Sequence, residues 1–256
     1  MSCIYQGIAV IMNTSLPLRY SDDLSIEIGI DEAGRGPMFG RVYAAAVVLP
    51  AEDSGFRFDL MKDSKKFTSE KKIADAAAHI KDGAAAWAVE WCDEKTIDKE
   101  NIRNATFLAM HKCIKTILSK LSNPDLSKTR LLVDGNGFKP FVLFDASTGR
   151  HSCAPHVCVT QGDNSYCAIA AASILAKTER DLYIETLCDS EPKLDEFYSI
   201  RKNKGYGTKI HLEGISEHGL SPWHRRSYGI CKNALICPEF KCGSSQQEHQ
   251  QSRKNN

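Results

Sequence analysis

The chain has 256 residues, of which 42% are hydrophobic and 25% charged, with a formal net charge of +1. That length suits one large α/β domain or two small ones, and the composition is ordinary for a soluble globular protein. No apolar run reaches the ~18 residues a membrane span needs, and no basic residue precedes the short run Ile8–Met12, as a signal peptide would require. The ten cysteines are scattered and form no Cys-x-x-Cys pair. Neither His151, Cys153, His156 and Cys158 nor Cys231, Cys237 and Cys242 have the spacing of a structural zinc site. Reduced thiols in an intracellular, cytoplasmic setting are therefore expected. A pI near 7.6 lacks the global basicity of many nucleic-acid binders. Basic residues cluster only locally, at Lys62–Lys72, Arg201–Lys204 and His224–Arg226.

Residues 1–23 show no periodicity and read as an extension of low order. In Ser25–Ile30 the residues Ile26, Ile28 and Ile30 alternate with less apolar ones, which predicts a strand running to Asp31. Val42–Leu49 reads as a buried second strand. Ser69 is a predicted N-cap for a helix over 69–82 that stops at Gly83. Ala84–Cys92, with Trp87, Val89 and Trp91 alternating, predicts a third strand and completes an antiparallel meander. A helical region begins at Thr96, and apolar residues recur every three or four positions from Asn101 to Leu121. Leu131–Val133 reads as a short buried strand and, after a polar connection, Val157–Val159 as a fifth strand. The helix predicted over 165–187 carries Ala168–Ala176, whose small side chains allow close approach to a sheet or another helix. Two further helices are expected near 191–200 and 208–218, and the Ser/Gln/Lys/Asn-rich end beyond residue 240 reads as disordered. Strands followed by strand–helix alternation predict an α/β fold, a mixed sheet with helices on both faces.

Asp31, Asp134 and Asp163 share one context, each at or just after a strand end and before glycine or a polar turn. Asp31-Glu32-Ala33-Gly34-Arg35-Gly36-Pro37 adds a second carboxylate and a glycine-rich turn. Neighbouring strand residues point to opposite faces, so the spacing predicts a backbone bend after Asp31, made easy by Gly34 and Gly36. Four carboxylates drawn together repel one another, and hard divalent cations relieve that repulsion through oxygen ligands. Two such ions about 4 Å apart suit phosphodiester hydrolysis. Acidic residues after strands also serve as helix caps, and spacing alone leaves that alternative open.

The heptapeptide 31–37 resembles the signature of the ribonuclease HII family. So do Asp63-Ser64-Lys65-Lys66, Asn104-Ala105-Thr106, Asp134-Gly135, Gly162-Asp163, Ile169–Lys177, Arg180-Asp181, Lys204–Thr208, His211 and His224-Arg225, all in the family's order across roughly residues 26–228. The resemblance implies a ribonuclease H-like fold, a five-stranded mixed sheet flanked by helices. It places a catalytic core over 24–188, a C-terminal helical substrate-binding extension over 189–240 and a tail over 241–256. It implies a metal-dependent endoribonuclease that uses Mg²⁺ or Mn²⁺ on RNA–DNA hybrids and on ribonucleotide-containing duplex DNA.

By the same resemblance, Asp31, Glu32, Asp134 and Asp163 are the catalytic, metal-binding carboxylates. Gly34, Arg35 and Gly36 recognise the ribonucleotide 2′-hydroxyl, and Tyr206 packs on the sugar of the following deoxynucleotide. Lys65 and Lys177 are candidates for phosphate contact or for bracing the carboxylates. Arg41 stands where many relatives carry proline. The connection between Asp134 and Asp163 matches no family motif, and the tail lacks the paired aromatics of a sliding-clamp-binding peptide. A monomer is expected, with no membrane partner. A catalytically silent binding module would lack the carboxylates. A type 3 ribonuclease H would carry Ser-Gly-Lys-Gly in the opening motif and an additional N-terminal domain.

Overall fold

The computed structural model describes residues 16–23, 26–122, 124–145 and 149–240; most of the N-terminal extension and the tail from 241 lie outside them. The elements in chain order are β1 (Ile26–Ala33), β2 (Val42–Val48), α1 (Glu70–Gly83), β3 (Ala86–Cys92), α2 (Glu94–Glu100), α3 (Ile102–Lys120) and β4 (Thr129–Asp134). They continue with β5 (Val142–Asp145), β6 (Arg150–Cys153), β7 (His156–Val159), α4 (Cys167–Ser190), α5 (Lys193–Tyr198), α6 (Ile200–Asn203) and α7 (Lys209–His218). The described residues form two compact units: 16–35, 42–92 and 103–180 make the first, and 36–41, 93–102 and 181–240 the second.

The first unit is built on a five-stranded sheet in the order β3-β2-β1-β4-β7. The first three strands form the expected antiparallel meander, and β4 and β7 then add in parallel. Every residue of β2 is buried, which explains why its sequence is a continuous apolar run rather than an alternating one. Ala45 and Val47 face a cluster containing Ala76, Ala77 and Ile80 of α1 and Ala170–Ala172 and Ile174–Ala176 of α4. On α3 the Cys113 thiol donates to the Ala44 carbonyl. The small residues of α4 allow the close approach expected of them. A Cβ placed on Gly29 of β1 would overlap the backbone of Ala168, so only glycine lets this helix start directly on the central strand.

Several local expectations are corrected. β1 extends through Ala33, with Glu32 opposite Ala44 and Ala33 opposite Tyr43; no bend follows Asp31, and the turn comes after Ala33. The reason is that β2 continues to offer partners past Asp31, so the ladder outruns the hydrophobic pattern. The helical region near 96–121 is two helices, because Asp93 caps α2 through the Thr96 N–H and Asn101 has a left-handed φ of 65°. The region near 191–200 is likewise divided at Ser199, whose φ is 54°. The connection after Asp134 contains a hairpin of β5 and β6, whose exposed polar strand β6 carries no alternating pattern to reveal it. Residues 16–23, within the segment expected to be poorly ordered, are pinned to the first unit: Leu16 and Leu18 pack against its core, and the Tyr20 and Ser21 N–H groups donate to Glu27.

The second unit packs Phe39, Ile184, Leu194, Tyr198, Ile200 and Ile215 into its own core. Residues 36–41 are tied into it by backbone bonds from Met38 to Gly205, from Gly40 to Trp223 and from Arg225 to Met38. The fully buried Arg225 side chain donates to the Gly40 carbonyl at 2.8 Å and the Pro37 carbonyl at 2.6 Å. Arg41, the departure from the family pattern, lies over the Tyr183 ring at 4.6 Å.

Candidate active site

The carboxylates of the first unit are assembled by strand register. Ile30 of β1 stands opposite Val133 of β4, so Asp31 and Asp134 occupy the next positions outward on two neighbouring parallel strands. Asp134 in turn pairs with Val159 of β7. The chain leaving β7 turns through Gln161, with a φ of 55°, into the short helical turn Gly162–Asn164 that carries Asp163. The Gly162 N–H donates to the Asp134 carboxylate at 2.7 Å. A Cβ at Gly162 would lie 2.6 Å from the end of Ile169 and 3.2 Å from that same carboxylate oxygen. Any side chain there would have to displace Ile169 and crowd the acid.

Burial and mutual repulsion dominate the electrostatics. Burial pushes the Asp31 carboxyl well above its ordinary range, and the charges of Glu32 and Asp134 push it further, against a hydrogen bond from Ser173 and another from the Glu32 N–H. Glu32 is also raised by burial, opposed by the Arg35 guanidinium, which donates to it at 3.1 Å. Asp163 is raised by burial and by Asp63 and Asp134, against the Lys65 charge. Asp63 goes the other way: hydrogen bonds from the Lys65 N–H and the Asn164 amide, with the Lys65 charge, outweigh its burial and hold it low.

Asp31 responds to the charges of Glu32 and Asp134, Glu32 and Asp163 each respond to Asp134, and exposed Lys65 acts on Glu32, Asp63 and Asp163. Gly34 takes a left-handed φ of 91°, whereas Gly36 serves a different need. A Cβ at Gly36 would sit 3.2 Å from Cε1 of the Tyr206 ring, within the second unit. Among the described residues, no group of three or more His, Cys, Asp or Glu side chains is arranged to grip a metal ion; that includes the His/Cys segment 151–158. The donor set offers carboxylate oxygens, the ligand type that hard divalent cations prefer.

Three contributors had no role assigned from sequence: Ser173, Asp63 and Asn164. Ser173 reaches Asp31 and also bonds Ser64 at 3.1 Å, and Asn164 bridges Asp63 and Asp163 at 3.3 Å each. The signal for Ser173 was a lone hydroxyl in the Ala-rich run of α4, and for Asp63 the acid that opens Asp63-Ser64-Lys65-Lys66.

A family model, Ribonuclease HII, matches residues 28–231. The chain belongs to the ribonuclease HII family. The ribonuclease HII of Bacteroides thetaiotaomicron is 41% identical over 223 residues, which cover 87% of this chain and 99% of that protein. Among solved structures, the ribonuclease HII in a PCNA complex from Archaeoglobus fulgidus superposes with a TM-score of 0.57 at 25% identity, covering 80% of this chain and 95% of that one. The ribonuclease H2 of Pyrococcus horikoshii OT3 gives 0.56 at 25% identity, with the same coverage. The fold is thus that of the ribonucleases HII, and membership makes this chain an endoribonuclease, a hydrolase with the hybrid-directed activity the family name denotes. No helix among the described residues is long and apolar enough to cross a membrane.

Proposed function

We propose that this ribonuclease HII cleaves the RNA strand of RNA–DNA hybrids and the phosphodiester on the 5′ side of single ribonucleotides embedded in duplex DNA, leaving 3′-hydroxyl and 5′-phosphate ends. The observation that carries the reading is the register of β1 against β4, which sets Asp31 beside Asp134 on neighbouring parallel strands, with burial and the charges of Glu32 and Asp134 raising Asp31. Asp31 and Asp134 would hold Mg²⁺ or Mn²⁺ at the more central positions, and Glu32 and Asp163 would complete the two sites. When bound, these cations supply a more acidic water and charge stabilisation at the leaving oxygen.

The protein's own groups orient the substrate. Backbone groups of Gly34-Arg35-Gly36 meet the 2′-hydroxyl, the group that distinguishes RNA from DNA. The Tyr206 ring, 52% exposed, packs on the sugar of the following deoxynucleotide, where a 2′-oxygen would crowd it. Lys65, exposed beside the carboxylates, braces them or meets a substrate phosphate. Residues 24–188 form the catalytic core and 189–240 the substrate-binding extension of a monomer acting in the cytoplasm, a setting that suits the free thiols of the eight described cysteines.

The test is a DNA duplex carrying one ribonucleotide, incubated with Mg²⁺ or Mn²⁺. The parent protein is expected to nick it once, with ends that a ligase reseals. Asp134→Asn should slow the reaction on the order of 10³-fold, as loss of several kcal/mol of charge stabilisation implies. No nicking by the parent sinks the assignment.

A further inference from the structure

The second unit contains a buried polar chain that ends on the backbone of Tyr206. The His211 Nδ1 lies 2.9 Å from the Tyr206 carbonyl. A carbonyl only accepts, so this nitrogen carries the proton, and Nε2 of the neutral ring is then an acceptor. His224 Nε2 lies 3.0 Å from it and must donate. His224 Nδ1 is left to accept, and it receives the Ser221 N–H at 2.9 Å and the Ser221 hydroxyl at 2.8 Å. Each donor meets an acceptor, and only one pair of tautomers satisfies the whole chain.

Both rings are neutral in their surroundings. Burial lowers His211, and burial together with His211 pushes His224 down to about 3. The rings are also caged, with His224 edge-on to Phe39 at 5.2 Å and to Tyr198 at 4.8 Å. The Tyr206 carbonyl receives a second donor from the Thr208 N–H at 2.8 Å. On the other side of Tyr206, the segment that carries Gly36 is held by Arg225, as described above, so two buried clasps set the ring against the glycine.

We propose that His211 and His224 are positioning residues for substrate selection: together they fix the Tyr206 backbone, and through it the angle of the ring over Gly36, which rests on the junction reading of Tyr206 given above. They touch no substrate. Their effect falls on the preference for a ribonucleotide followed by a deoxynucleotide over a continuous RNA–DNA hybrid, because Tyr206 meets a deoxy sugar only at that junction.

The experiment compares kcat/KM of the full-length parent, His211→Asn, His211→Gln and Tyr206→Ala on a single-ribonucleotide duplex and on a continuous hybrid. The asparagine amide nitrogen occupies the Nδ1 position and keeps the bond to Tyr206; the glutamine amide reaches only the Nε2 position and loses it. His211→Gln is expected to lose about tenfold on the junction substrate, the scale of one buried hydrogen bond, and less on the hybrid. His211→Asn is expected to restore the ratio of the two substrates towards the parent.

Equal ratios in parent and His211→Gln, or equal losses by both variants on both substrates, overturn the proposal. If Tyr206→Ala keeps the parental ratio, the junction reading falls and this inference with it; if only Tyr206→Ala changes the ratio, the clasp alone falls. A measurement on the parent protein covers the case of a variant that does not fold. Imidazole ¹⁵N shifts should show His211 protonated at Nδ1 and His224 at Nε2, and the opposite tautomer at either ring overturns the proposal.

Discussion

In the first unit, buried Asp31 and Asp163 and half-buried Glu32 lie among like charges and are held above their ordinary proton affinities. In the second, Arg225, His211 and His224 are buried just as deeply, yet their groups are matched: the two imidazoles in one consistent chain, the guanidinium on the Gly40 and Pro37 carbonyls. A buried polar network that is fully satisfied makes its surroundings rigid. Carboxylates whose partners do not offset burial and like charge favour the protonated form and weaken the fold when ionised. The contrast separates two kinds of buried polar group within one enzyme: in one unit carboxylates raised by burial and like charge, in the other polar groups matched to backbone.

The largest effect that would test this contrast is on the carboxylates. Their folded-state pKa values lie above the unfolded ones, so the metal-free protein is more stable with them protonated and loses that stability as pH rises through the raised values. Mn²⁺ or Mg²⁺ binding only to the folded state should add about 2.7 kcal/mol at a hundredfold excess over Kd. The rise in melting temperature over an EDTA control should therefore be greatest at neutral pH and shrink as pH falls. Asp31→Asn should raise the melting point in EDTA at neutral pH and lose most of the gain on adding metal. A lower melting point for this variant in EDTA would mean that the carboxylates are not in conflict.

The second unit should respond to pH with the opposite sign. The His224 pKa falls from 6.5 to about 3 on folding, so the unfolded chain takes up a proton that the folded one refuses. Stability is full above pH 6.5 and is lost as pH falls towards 3, by up to about 1.4 kcal/mol per pH unit. His224→Gln should flatten that slope by about one proton, read from denaturant midpoints across the range. An unchanged slope would show that His224 charges freely in the folded state.

Much of this was legible in the sequence, for identifiable reasons. The meander and the two further strands followed from alternation in β1 and β3 and from the apolar runs of β2, β4 and β7, since a place in the sheet writes itself into side-chain type. The acids Asp31 and Asp134 were visible as strand-end residues before glycine. Hydrogen-bond geometry was not visible, because it depends on register and on atoms rather than on residue class. That is why β1 runs on to Ala33, why Ser173 reaches Asp31 from a helix read only for the close approach its small residues allow, and why His211 and His224 could be seen only as family residues. The hairpin of β5 and β6 escaped because it buries too little to impose a pattern, with Phe144 60% exposed.

The smallest predicted effect is at Gly36, where the two units adjoin in the chain: Arg35 belongs to the first unit and Gly36 to the second. An alanine Cβ there would stand 3.2 Å from the Tyr206 ring and 3.9 Å from its next carbon. The first distance is tight enough to push the ring by a few tenths of an ångström. The ring is half exposed and can yield, so the cost should stay below about 1 kcal/mol, the mild end of overpacking. Gly36→Ala should therefore reduce the preference for a single-ribonucleotide junction by a few-fold. It should leave the metal-induced rise in melting temperature at the parental value, because Asp31 and Glu32 are held by β1 and its ladder to β2. Equal loss of junction preference and metal response would show that the segment 31–37 acts as one piece, and that the two are not divided at this peptide bond.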